Sequence, residues 1–109
     1  MGSLVVNVRR GEIWWAETPD ERGRPWLILT RDVAIDVLTR VLAAPVTTRV
    51  RDIPTEVMLG PDDGLPTACA ASFDNVRTLY KSLLVRRVGV IAPGRDHELC
   101  AAINAAIDC

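Results

Sequence analysis

Arg24-Pro25 followed by Trp26-Leu27-Ile28-Leu29-Thr30 is where this sequence offers chemistry most plainly. A cation and a proline close a polar stretch, and an apolar run begins directly after them. Pro25 holds its own φ near about −65° and pushes Arg24 towards extended geometry, so the guanidinium is delivered from a stiff junction. Such a fork can bind phosphate oxygens in pairs or stack on a base. Other arginines occur in pairs, as Arg9-Arg10, Arg49/Arg51 and Arg86-Arg87, with Arg22 beside Arg24, against a single lysine, Lys81. The net charge is only −1, so a binder of phosphate would have to concentrate these cations locally. The alternative is solvated strand edges. His97 is the sole histidine. Its place within Arg95-Asp96-His97-Glu98 suits the exposed first turn of a helix, and one histidine per chain excludes two-histidine chemistry. The three cysteines, Cys69, Cys100 and Cys109, lack a CxxC pairing, which argues against a zinc site or a disulfide framework. Cys100 is expected to pack as a small hydrophobe on a helix face, and Cys109 to be exposed. Trp14, Trp15 and Trp26 could stack on bases. Trp14 and Trp15 would face opposite ways on a regular strand, placing at least one in the core.

These residues need a scaffold. At 109 residues, 49% hydrophobic and 25% charged, the chain is expected to be one domain over 1–109, with 1–9 a lead-in and Met1-Gly2-Ser3 open to reading as an expression remnant. No charged segment leads into an apolar signal region, and no apolar run approaches the roughly 18 residues of a membrane span. A reduced cytoplasmic protein with no membrane contact is expected. Strands are expected over 11–17, 25–30, 40–47, 54–59, 67–76 and 85–91. Residues 18–24 read as a polar loop, Pro54 as the opening of an edge strand, and Pro61-Asp62-Asp63-Gly64 as a turn. Residues 32–39 fit helix or strand, and 79–84 a short helical turn. Leu99, Ile103 and Ala106-Ile107 recur at helical spacing behind Asp96 and Glu98, which suit a helix N-terminus, so a helix is expected from 96 to 108. The fold class is mainly β: a small antiparallel sheet or partly closed barrel, one face covered by the terminal helix.

The ordered series Arg10-Gly11-Glu12-Ile13-Trp14-Trp15, Arg24-Pro25, Pro45-Val46-Thr47-Thr48 and Asp74-Asn75-Val76-Arg77-Thr78 resembles the MazF/PemK family of toxin endoribonucleases, from about Arg10 to the C-terminus. The resemblance implies an SH3-like barrel with a C-terminal helix, shared with the CcdB gyrase poisons. It implies a homodimer, neutralised by a MazE-like antitoxin whose acidic tail fills the groove. It also implies single-stranded RNA cleavage without a metal or other cofactor, leaving a 2′,3′-cyclic phosphate and a 5′-hydroxyl. RNA supplies the nucleophile, its adjacent 2′-hydroxyl. The protein must align the attack, move a proton and stabilise the phosphorane. Arg24 matches the family's catalytic arginine, though it could instead be a surface arginine paired with Glu21 or Asp20. Thr47 matches the catalytic threonine, with Thr48 its competitor because a slip of one residue changes faces. Glu21 is the carboxylate base that aligns if a gap is allowed, in a loop shortened to Thr18-Pro19-Asp20-Glu21-Arg22-Gly23; a solvated turn acid is the alternative. Arg22, Thr48, Arg49 and the Arg77-Thr78 pair are the expected RNA contacts.

Two other functions are compatible with such a fold. A non-enzymatic CcdB-like gyrase poison relies on a tryptophan near the C-terminus, and this chain ends Ala105-Ala106-Ile107-Asp108-Cys109. An SH3-like interaction module needs an aromatic groove for its ligand, which one Tyr and one Phe supply poorly.

Overall fold

The computed structural model describes residues 7–35 and 38–107. Met1-Gly2-Ser3, Asp108 and Cys109 lie outside them. The strands are β1 (Glu12–Thr18), β2 (Glu21–Ile28), β3 (Arg40–Thr47), β4 (Glu56–Leu59), β5 (Cys69–Ser72), β6 (Arg77–Tyr80) and β7 (Leu84–Val90). Among the described residues, two helices, α1 (Asp32–Ile35) and α2 (Asp96–Ile107), and three short 3₁₀ turns complete the regular structure. All strand pairs are antiparallel, in the order β4-β5-β3-β2-β1-β7. The sheet curls into the half-barrel expected from the sequence.

β3 is the hinge of this curl. Its first half, Arg40–Ala43, pairs with β6, while Val46 and Thr47 pair with Ala71 and Ala70 of β5. On its other side Ala43, Ala44 and Pro45 pair with Ile28, Leu27 and Trp26. The central strands therefore have apolar cover on both faces. Leu27, Leu29, Ala44 and Val46 pack with Ile13, Phe73, Leu99 and Ala102 beneath α2. Trp26, Ile28, Val41 and Ala43 point the other way, onto Val8, Ile35, Leu79 and Leu84. Alternation on a strand buried on both sides explains why Trp26-Leu27-Ile28-Leu29 is apolar without interruption.

Several expectations need correction. Residues 18–24 are not a loop. Pro19-Asp20 alone makes the turn, and Glu21 to Arg24 continue β2. Thr18 donates its hydroxyl proton to Asp20 Oδ1 at 2.7 Å, which stabilises so short a connection. Arg24 thus sits in a strand, opposite Ala16, and Pro25 lies opposite Trp15 where β2 is paired on one side only, as a residue without an N–H requires. β6 occupies part of the segment expected to be a helical turn, which shrinks to Lys81–Leu83. The strand expected over 67–76 ends at Ser72 and passes into a 3₁₀ turn, and Pro54 lies in the turn before β4. Residues 32–35 are helical. Cys100 is exposed rather than packed, since α2 turns Leu99, Ala102, Ile103 and Ala106 to the sheet, and Cys69 is the buried thiol. Trp14 and Trp15 face opposite ways as expected: Trp14, half-buried, packs on the core face of β1 with Ala16 and Trp26, while Trp15 borders a cavity beside Pro25 and Arg86, and Trp26 is the fully buried tryptophan.

Candidate active site

The register of β2 on β3 builds the site. Trp26 pairs with Pro45, and carrying that register two residues on sets Arg24 across from Thr47, on the same face. The ladder stops at Trp26 because Val46 and Thr47 have turned to β5. The strands part there, and a groove of about 390 Å³ opens between them. Glu21, Arg24 and Trp26 of β2 form one wall, and Pro45 and Thr47 of β3 form the floor. Arg49 and Arg51 follow from the segment after β3, and Ser72, Asn75 and Arg77 close the far side. Ser72 arrives by the same logic: the Val46–Ala71 pair sets it across from Pro45.

Four arginines line this groove against one carboxylate, Glu21. A chain of net charge −1 thus carries a locally basic cleft, suited to polyanions. The pairs are loose. Arg24 Nε lies 3.2 Å from Glu21 Oε1 with both side chains more than a third exposed, and Arg77 reaches the exposed Asp20 at 3.4 Å. Such pairs are worth little in water and exchange readily for a phosphate. The Thr18 hydroxyl foremost, then a backbone N–H and Arg77, hold the Asp20 carboxyl below its ordinary range. Among the described residues no carboxylate pairs with the Arg49 guanidinium. Arg51 is fixed: Glu56, its side chain 1% exposed, accepts from the backbone N–H of Arg51 and Asp52 and faces Arg51 Nε at 3.3 Å. Thr47 Oγ1 accepts from the Arg49 N–H at 3.0 Å. That bond orients the hydroxyl and leaves its proton available to donate.

Of the residues expected from sequence, the structure brings Arg24, Thr47, Glu21, Arg49 and Arg77 into one groove. Three others lie elsewhere. Thr48 lines an adjoining cavity that Thr47 also borders, with Trp15 and Leu65. Arg22 lines a shallow depression beside Trp15 and Gly23, and Thr78 faces a separate hollow with Thr30 and Arg40. The parity of adjacent strand residues accounts for both splits, Thr47 from Thr48 and Arg77 from Thr78. Trp26, Arg51, Ser72 and Asn75 were not anticipated in the groove. Arg51 had a signal, its spacing of two from Arg49; Ser72 and Asn75 reach the site only through long-range pairing. His97 is exposed on α2, its Nδ1 2.8 Å from the Gly94 carbonyl. Among the described residues, no three His, Cys, Asp or Glu side chains are placed to hold a metal ion.

Residues 9–107 match the family described as PemK-like, MazF-like toxin of type II toxin-antitoxin system. The chain belongs to this family. It is 41% identical over 101 residues to the probable endoribonuclease MazF5 of Mycobacterium tuberculosis, covering 92% of this chain and 93% of that protein. The solved toxin MazF-mt6 of M. tuberculosis superposes with a TM-score of 0.82 at 37% identity, covering 89% and 96% of the two chains. An endoribonuclease in complex with its cognate antitoxin, from a mycobacterial species, superposes with a TM-score of 0.81 at 30% identity, covering 92% and 94%. The half-barrel with its C-terminal helix is therefore the fold of MazF-like toxins.

Proposed function

We propose that this MazF-like chain is the toxin of a type II toxin–antitoxin pair and a cytoplasmic endoribonuclease that cleaves single-stranded RNA without a metal. The observation that carries the mechanism is the convergence of Arg24, Thr47 and Glu21 in one arginine-lined groove. The attacking group is the 2′-hydroxyl beside the scissile phosphate. Glu21 takes its proton, as the one carboxylate in the groove. Arg24 leaves its loose pair with Glu21 and donates to the non-bridging oxygens, where charge builds in the phosphorane. A guanidinium has donors and no acceptor, which suits this electrostatic role and not that of a base. Thr47 donates to the same phosphate and fixes the in-line approach. Arg49 and Arg77 hold flanking phosphates. As the P–O2′ bond forms the P–O5′ bond breaks, the departing 5′-oxygen takes a proton from water in the open groove, and the products carry a 2′,3′-cyclic phosphate and a 5′-hydroxyl. Thr48, Arg22 and Thr78 lie outside the groove and contribute at most to RNA beyond the cut.

The chain works as a homodimer and is silenced by a MazE-like antitoxin, whose acidic segment competes for the groove arginines. The complex of an antitoxin with a mycobacterial endoribonuclease supports this pairing. The test is incubation with total RNA in EDTA and mapping of new 5′-hydroxyl ends. Discrete cuts at recurring positions are expected. RNA left intact, with gyrase stalled on DNA, would favour the gyrase-poison reading instead.

A further inference from the structure

Trp15 lies outside the groove, half-buried, on the edge of a second cavity of about 540 Å³. Pro25, Val46, Leu65 and Pro66 give that cavity apolar walls, the size and lining of a site for a small, flat organic group. The indole is held in place from one side by Gly23, where a Cβ would collide with the ring. The Arg86 guanidinium lies over the ring, 5.7 Å from its centroid. Arg86 and Arg87 are adjacent but differ in kind. Arg87 is paired at 2.9 Å with Glu12, whose side chain is 9% exposed, whereas among the described residues no carboxylate pairs with Arg86. The cavity adjoins the groove by two routes. Thr47 borders both. The shallow depression over Gly23 shares Glu21 with the groove and Trp15 with the cavity, and it carries Arg22. A strand of RNA leaving the groove past Glu21 therefore passes a cation and reaches an aromatic ring backed by another.

We propose that this cavity is a subsite for one nucleobase beside the cut, stacked on Trp15 and covered by Arg86. This rests on the reading of the groove as an RNA-cleavage site. The unstacked bases of single-stranded RNA are taken up on aromatic rings and guanidinium planes, and both are present here. A base on an aromatic face is worth more than an exposed cation–π contact. The base therefore displaces Arg86 from the ring, and the guanidinium, on an exposed side chain, closes over the base. An apolar side chain of a protein partner would use the walls but leave that guanidinium without a planar group to cover. Arg22 and Arg86 also extend the positive charge of the groove along the path, as a phosphate backbone requires.

The test measures binding of an RNA oligonucleotide made resistant by 2′-deoxyribose at the mapped cut. A matched set replaces each of the nearest nucleotides on either side, one at a time, by an abasic site that keeps the phosphate. In the wild type one abasic position should weaken binding about tenfold or more, as loss of a stacked base does. Trp15→Leu fills apolar space without a ring. It should bind the intact oligonucleotide about as weakly, and lose nothing further at that abasic position, because ring and base are two sides of one contact. Arg86→Gln, a change at an exposed position, should show a smaller loss coupled to the same abasic position, and it decides the matter if Trp15→Leu does not fold. If the wild type binds and cleaves RNA but no single base matters, or the losses add at every position, the inference is overturned. The cavity then falls to an apolar side chain of a protein partner. A wild type that neither binds nor cleaves RNA overturns the underlying reading together with this one.

Discussion

Arg95 and Arg24 are both arginines beside carboxylates, and they occupy opposite extremes. Arg95 is spent. Its Nη1 donates to Asp63 Oδ1 at 3.0 Å, its Nε and Nη2 to Glu98 at 2.8 Å, and Nη2 also to the Met58 carbonyl at 2.6 Å. Asp63 is 5% exposed, so this fork ties α2 to the turn after β4 with almost nothing left for a ligand. The Glu98 pair foremost raises the Arg95 pKa still further, and Arg95 in turn holds the Glu98 carboxyl below its ordinary range. Arg24 has one partner, at 3.2 Å and well solvated. A structural arginine has its donors satisfied in the fold, whereas an arginine meant for a substrate keeps them available. Arg49, with no carboxylate beside it among the described residues, falls on the same side as Arg24.

Substituting each arginine in turn should separate the two roles. Arg24→Ala should lower the cleavage rate by about 100-fold or more, with Tm nearly unchanged, and Arg24→Lys should recover only part of it. A normal rate in the folded alanine variant would move the active site elsewhere. Arg95→Ala should do the reverse. It leaves Asp63 buried and unpaired, so denaturant unfolding should show a loss of about 2–3 kcal/mol, while cleavage per folded molecule stays near that of the wild type. Equal stability in that variant would remove the distinction between the two arginines.

Thr47 and Thr48 sharpen the comparison within one strand end. Thr47→Val keeps the strand shape and removes the groove hydroxyl, so cleavage should fall about tenfold, whereas Thr48→Val should be close to neutral. The opposite result would show that the wrong threonine has been assigned the catalytic hydroxyl. The smallest effect is that of acid. Glu98 has its pKa lowered in the fold from an ordinary 4.5, so its contribution is complete above that value and is lost as the pH falls through the folded pKa. Stability should decline below about pH 4.5 in the wild type and less steeply in Glu98→Gln, as read by thermal melts across that range.

The sequence makes one side of this contrast easier to read than the other. α2 was legible because Leu99, Ile103 and Ala106 repeat at helical spacing and all reach the sheet. Arg24 and Thr47 were legible as an ordered series, but their adjacency comes from the β2–β3 register, which no local pattern states. The β1–β2 turn was misread because its polar residues Glu21, Arg22 and Gly23 resemble loop, although they are held in a hairpin. Gly23 is needed there because the Trp15 ring occupies the space a Cβ would fill. β6 was missed because only Leu79 of its four residues is buried, too little to show alternation. Trp26 was hidden for the opposite reason: a tryptophan in an apolar run reads as core, and only its pairing with Pro45 brings it to the groove wall. Arg95, within Arg95-Asp96-His97-Glu98, gave no sign of its long-range bonds to Asp63 and Met58.

In the proposed mechanism the arginine groove cuts RNA through the substrate's own hydroxyl. The most direct measurement compares two oligonucleotides in EDTA that differ only at the mapped cut, one with ribose there and one with 2′-deoxyribose. Cleavage of the ribose strand to a 2′,3′-cyclic phosphate and a 5′-hydroxyl is expected, with the deoxy strand bound but intact. Efficient cutting of the deoxy strand would contradict it.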